Sequence, residues 1–330
     1  MPRIQDQVAD NRRDVQRLNS RFIFVPERQE QNLSFGQNLI ETAVSINVYT
    51  RPLNGGLTSG HPEPEYGSGR GVAGDLRGDW TLQEDVAASA EWTRGGRNAV
   101  RDALAGETGS AETTAVGTGT GAAAPSDTSL QAETATSPAS GIRDGEAYNA
   151  VRTRSSFRFT AAGDGGEPLR EYGLFDATGR LLARVTTDPL PVSRDAEVRV
   201  DLTLTVTGSG NGTSVITDAG ETAVADSLRS DAEVVGLDEI AWGTGTAAPD
   251  AGDTALASEV FRATAQRITD FEVLTVSAPQ FESQPSGQPY SYTEVGVFDN
   301  EGRLVWRTTL DGFTKNEDIR FTTAVGFKLV

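Results

Sequence analysis

The sequence predicts a mainly β protein: two tandem β-sandwich-like domains, each with one short helix, preceded by an N-terminal helix and a β-arm region. The first observation behind this is a duplication. Gly96, Ala99, Val100, Asp102 and Leu104 recur as Gly220, Ala223, Val224, Asp226 and Leu228. Gly117-Thr118-Gly119-Thr120 recurs as Gly243-Thr244-Gly245-Thr246, and Asp127, Thr128 and Leu130 as Asp253, Thr254 and Leu256. Glu171, Gly173, Phe175 and Asp176 recur as Glu294, Gly296, Phe298 and Asp299; Gly179-Arg180-Leu181 and Arg184 recur as Gly302-Arg303-Leu304 and Arg307. Offsets of 123 to 126 residues mark a duplicated domain rather than a short solenoid unit. The second observation is alternation of apolar and polar residues in runs such as EVRVDLTLTVT, bounded by Gly, Pro and Asp turns. The third is the length of 330 residues, enough for two or three domains with cores of their own. The expected domains are 1–25, 26–94, 95–208 and 209–330.

Taken in order, residues 3–22 read as a helix. Ile4, Val8, Asn11, Val15, Leu18 and Phe22 step alternately by four and three, the seam of a coiled coil with one Asn to fix register. An amphipathic helix lying on its own domain satisfies the same spacing. Pro26 ends it. The alternation in ETAVSINVY predicts a strand within 33–50, and the Gly/Pro-rich 51–79 a long loop or β-arm holding the only histidine, His61. Trp80–Trp92 reads as a strand whose counterpart before the second copy is 197–207. Each copy then opens with a helix at Gly96 or Gly220, with Ala99, Val100, Ala103 and Leu104 (Ala223, Val224, Ser227 and Leu228) on one face. A short strand, Thr114–Val116 or Ile240–Trp242, leads into GTGT and a Pro-containing loop closing on Asp-Thr-x-Leu. The copies diverge after that loop and reconverge on a hairpin, REYGLFD/RLLARVTT or TEVGVFD/RLVWRTTL. Gly179 and Gly302 fit its bulged turn. A long strand closes each copy, 197–207 or 318–329.

Composition narrows function. A net charge of −18 disfavours nucleic acid, which needs clustered cations. Lys315 and Lys328 are the only lysines, and there is no Cys. Acidic surface with scarce Lys is expected of a protein adapted to molar salt, where carboxylate repulsion is screened over about 3 Å; an ordinary acidic protein shares the charge. No run approaches the roughly 18 apolar residues of a membrane span, and the N-terminus lacks a signal-peptide pattern, so neither insertion nor secretion is expected.

With one His and no Cys, nucleophile triads and His-rich zinc sites are disfavoured. Gly117-Thr118-Gly119 and Gly243-Thr244-Gly245 could suggest a phosphate cradle, but neither completes GxGxxG or GxxxxGK[ST], so a structural turn is expected. Asp176 and Asp299 should accept turn amides, and Asp127 and Asp253 cap a turn. Glu171 with Arg184, and Glu294 with Arg307, could pair across hairpin strands, with little effect if exposed. No pair of the 47 acidic residues stands out as a glycosidase pair, and no EF-hand spacing occurs. No catalytic, cofactor-binding or metal-binding residue is therefore assigned, no cofactor is expected, and an enzyme is not expected.

The block order helix-AV, xxGTGTxxP, D-T-x-L and E-x-G-L/V-F-D-x-x-G-x-L-x-R resembles a domain recurrent in tail-fibre, tail-collar and baseplate-type proteins of tailed phages. It covers 95–208 and 219–330. The first copy departs by inserting Gly121-Ala122 before Pro125 and by Val116 where the second has Trp242. The resemblance implies a virion structural role; with the acidic composition it implies a tailed virus of haloarchaea. The expectation is a tail fibre or baseplate component that forms a symmetric homo-oligomer with other virion proteins, assembled in the host cytoplasm. A capsid vertex turret or decoration protein is the alternative slot, and a glycan-binding or glycan-cleaving host-attachment protein the alternative class.

Overall fold

The computed structural model describes residues 29–52, 80–83, 87–107, 109–142, 149–159, 167–192, 196–208, 213–229, 235–270, 273–281 and 283–329. The helix expected over 3–22 and most of the 51–79 arm, His61 included, lie outside them. The chain is mainly β with two helices among the described residues. Among the described residues three sheets hold it together: one of eight strands and two of five.

The two five-stranded sheets are equivalent. Copy 1 uses β3 (Ala87–Trp92), β4 (Ala111–Gly117), β5 (Glu133–Pro138), β8 (Leu169–Asp176) and β9 (Leu181–Leu190) in the order β3-β9-β8-β4-β5. Copy 2 uses β11 (Ser214–Ile216), β12 (Leu237–Gly243), β13 (Glu259–Thr264), β16 (Tyr290–Asp299) and β17 (Leu304–Lys315) in the order β11-β17-β16-β12-β13. The counterpart of β3 is thus β11, not 197–207. Trp80–Trp92 also divides into β2 (Thr81–Gln83), on the large sheet, and β3, on a small one.

The stretches that diverge in sequence are equivalent in topology. Copy 1 gives the large sheet β6 (Ser140–Ile142), β7 (Ala150–Phe159) and β10 (Ala196–Gly208); copy 2 gives β14 (Gln266–Asp270), β15 (Val273–Gln280) and β18 (Ile319–Leu329). Each five-stranded sheet faces large-sheet strands of its own copy, and that of copy 1 also faces β1. Trp92 Nε1 donates to Ala43 O at 3.3 Å, and Trp242 Nε1 to Thr323 Oγ1 at 2.9 Å, so the indoles spend their polar edge between the layers.

Between the two halves of the large sheet runs β1 (Gln29–Pro52), parallel to β18 over 29–40 and antiparallel to β10 over 40–52. Ile40 pairs with both Gly208 and Leu329, so the C-terminal ends of β10 and β18 meet it from opposite directions. The β1–β18 pairing has a register shift between Phe35 and Gln37. Segment 26–94 therefore supplies a central strand of the core as well as β2 and β3.

The helices α1 (Arg94–Leu104) and α2 (Asp218–Ser227) touch each other. Their contacts are reciprocal: α1 reaches β15 of copy 2, and α2 reaches β7 of copy 1. Ala105 bridges Gly236, while Ala111 N donates to Leu228 O at 2.8 Å. The copies face each other as in an isologous dimer, with β1 and the short β2 paired to it the strands that have no mate. Both helices start two residues before the expected glycines because Thr93 and Thr217 cap them, accepting from Gly96 N at 3.1 Å and Gly220 N at 3.0 Å.

Candidate functional site: a carboxylate clamp present in both copies

Glu171 and Arg184 stand on β8 and β9, diagonal across the hairpin, since Glu171 pairs with Thr186 and Gly173 with Arg184. Both are fully buried, unlike the exposed pair that would contribute little. Glu171 Oε1 accepts from Gly119 N at 3.1 Å and Ala132 N at 2.6 Å. Its Oε2 accepts from Gln131 N at 3.0 Å and from Arg184 Nη2 at 2.8 Å. Arg184 Nη1 reaches Asp127 Oδ2 at 2.8 Å, and Nη2 reaches Gly121 O at 3.1 Å. One carboxylate and one guanidinium thus hold both ends of the GTGT…Asp-Thr-x-Leu loop.

Copy 2 repeats the arrangement atom for atom. Glu294 Oε1 accepts from Gly245 N at 2.9 Å and Ser258 N at 2.7 Å; its Oε2 accepts from Ala257 N at 3.0 Å and Arg307 Nη2 at 2.9 Å. Arg307 Nη1 reaches Asp253 Oδ2 at 2.5 Å and its Nη2 reaches Ala247 O at 3.0 Å. Gly121 and Ala247 fill the same place. Ala124 N donates to Asp127 at 2.8 Å and Asp250 N to Asp253 at 2.9 Å. The loops are therefore of equal length; the first copy has no net insertion, only a proline displaced along the same loop.

The glycines of GTGT follow from this approach. A Cβ on Gly119 would lie 2.5 Å from Glu171 Oε1, and one on Gly245 2.4 Å from Glu294 Oε1. The loop does cradle an anion through its amides, but the anion is the chain's own glutamate. Burial alone would raise the Glu171 carboxyl; the amides of Gln131 and Ala132 and the Arg184 guanidinium outweigh it and hold it below the ordinary range. Burial would likewise lower the Arg184 guanidinium, yet its bonds to Asp127 and Glu171 raise it.

A second clamp ties helix to hairpin. Asp176 Oδ1 accepts from Thr178 N and Arg180 N, each at 2.9 Å, and Oδ2 from Arg180 Nε at 2.9 Å. Arg180 Nη1 then reaches Asp102 of α1 at 2.8 Å. Asp299, Arg303 and Asp226 do the same for α2, with Arg303 Nη1 3.1 Å from Asp226 Oδ2. Gly179 and Gly302 sit at φ of 81° and 78°, the left-handed turn position expected of them. Burial would raise the Asp176 carboxyl, but the Thr178 and Arg180 hydrogen bonds and the Arg180 charge hold it low.

Most of the repeated signature is thereby accounted for. Gly96 and Gly220 admit Leu182 O and Val305 O, which a Cβ would meet at 2.2 and 2.3 Å. Leu130 and Leu256 lie over Gly173 and Gly296. Ala99, Val100 and Leu104, with Ala223, Val224 and Leu228, are core. Sequence reasoning missed the contact of Glu171 with GTGT and of Asp102 with Arg180; the available signal was that all of them recur in both copies. Among the described residues no group of three or more His, Cys, Asp or Glu is placed to hold a metal ion, and no helix is long and apolar enough to cross a membrane.

Comparison with protein-family models, with curated proteins and with solved structures finds no match.

Proposed function

We propose that the chain is a structural component of a virus particle, a tail fibre or baseplate protein of a tailed virus of haloarchaea, working as a symmetric oligomer. The observation that carries the non-enzymatic part is the saturation of the signature. Its repeated charged and glycine positions hold loops, turns and helices, with both oxygens of Glu171 and of Glu294 taken by the fold. A residue set used twice for the same internal bracing suits a module selected for shape. The order of the blocks, similar to tail-fibre, collar and baseplate domains, supports the tail slot. The −18 charge and two lysines support a molar-salt setting.

The test is to purify particles from a producing culture in multi-molar salt and look for the chain by mass spectrometry and antibody-gold labelling. Label on tails supports the tail slot, and label on capsid vertices moves the protein to a turret or decoration role. Absence from intact particles overturns the virion reading. A host-attachment role on glycans is the second reading. It draws on the Phe281–Pro289 loop, where Phe281 is 43% exposed, with Arg320 4.9 Å over its ring. Binding to host-surface glycans that is lost in Phe281→Ala would favour it.

A further inference from the structure

The eight-stranded sheet ends in β6 on the copy 1 side and β14 on the copy 2 side. The edges of this molecule are guarded unequally. Strand β6 has three residues; β5 starts at Glu133 and stops at Pro138; β13 carries Glu259 and Arg262 in an ion pair of 2.7 Å. Short length, proline and charge are the usual means of preventing edge-to-edge pairing. Strand β14 is also short and its Arg267 pairs with Asp238 at 3.0 Å, but all five of its residues are exposed and its centre is Ile268, 57% exposed, the most open large apolar side chain among the described residues. Its inner edge pairs with β15, and no strand among the described residues pairs with its outer edge.

The charges nearest Ile268 on its face are of opposite sign: Asp270 is opposite Val273, and Val273 is opposite Lys328. Ile268 is opposite Thr275 and Gln266 opposite Ser277; further in, Ser277 is opposite Ala324 and Thr275 opposite Gly326. The same face of copy 1 carries Arg152, Arg154, Arg158, Glu197, Arg199 and Asp201. A chain of net charge −18 repels its own copies over most of its surface. Around Ile268 the outward charges are one of each sign, so that repulsion is offset there.

From these features we infer that β14 is a homotypic interface, pairing antiparallel with β14 of a second copy about a two-fold axis at Ile268. In this register Ile268 meets Ile268, Gln266 meets Asp270 and Arg267 meets Thr269, so no like charges stand opposite. Centring on Arg267 would oppose two guanidinium groups, and centring on Thr269 would set Ile268 against Asp270. The second copy would continue the large sheet across the axis. A five-residue contact is small, so the dimer should be weak, and it should strengthen with salt as the carboxylates are screened. This goes beyond the proposed particle role and does not depend on where in a particle the chain sits.

The chain has no cysteine, which makes the test clean. Ile268→Cys, oxidised in multi-molar salt, should give a covalent dimer. Leu82→Cys, at the comparably exposed Leu82 (49%) on β2, should not. Ile268→Lys should shift the light-scattering mass of the full chain toward the next smaller species, with unchanged circular dichroism. Equal crosslinking of both cysteine variants, or an unchanged mass for Ile268→Lys, overturns the β14 interface. An oligomer whose Ile268→Cys variant forms no crosslink would overturn it while sparing the oligomeric virion reading; a strict monomer at all concentrations would remove both.

Discussion

The two copies keep the same polar clamps and fill their cores differently. In copy 2, Trp242 stacks on Phe261 with centroids 5.9 Å apart and meets Phe321 edge-on at 5.8 Å; Trp306 meets Phe327 at 6.5 Å. In copy 1 the place of Trp242 belongs to Val116, and the sheets meet there through Ser155 Oγ and Thr114 Oγ1 at 2.8 Å. Hydrophobic volume can be redistributed among neighbours at small cost, whereas a buried carboxylate needs each donor in place. Duplication has therefore preserved the geometry of ions and let the packing drift.

The strongest way to break this comparison is to remove a clamp. Glu171→Ala and Glu294→Ala should each cost about 3–5 kcal/mol, because each strands a buried guanidinium, and the two losses should be similar. Denaturant titration checks both; a loss under about 1 kcal/mol in either would mean the cluster is not needed. Trp242→Val, which gives copy 2 the residue of copy 1, should cost about 3 kcal/mol, since its neighbours were fitted to an indole. Thermal melting reads this, and a near-neutral result would show that the aromatic packing is redundant. Gly119→Ala should cost about 1–3 kcal/mol by forcing Glu171 away from the loop, with Gly245→Ala matching it within error.

Acid sharpens the contrast further. Glu171 and Asp176 have lowered folded-state values, so the stability they contribute is complete above the ordinary carboxylate range, near pH 4. It is lost as pH falls through the lowered values. Stability measured from pH 6 to 2 in constant salt should drop over that lower range, and Glu171→Gln should flatten part of the slope. The smallest effect is expected at the helix clamps: Asp102→Asn and Asp226→Asn should cost about 1 kcal/mol each, as these bonds are partly open to water.

Local features were legible in the sequence and long-range ones were not. The bulged turns at Gly179 and Gly302, the buried faces of α1 and α2 and the strands after Glu171 and Glu294 each depend on a few adjacent residues. The clamp joins Glu171 to Gly119 and Glu294 to Gly245, pairs that no local period connects. Strand β11 was overlooked because three residues carry too little alternation to register. Equivalence of β6-β7 with β14-β15 was hidden because only their place in the sheet was kept. The place of β1 was hidden for a different reason: it occurs once, so the duplication had no second copy to set beside it.

That single strand also sets an order of events. Gln29 pairs with Ile319 and Ile40 with Leu329, so the early half of β1 must wait for residues 319–329 to leave the ribosome. Its later half can find β10 once copy 1 has emerged. During synthesis the N-terminal half of β1 is a strand without a neighbour, and closing so distant a contact is slow. The early half of β1 should therefore dock later than its late half.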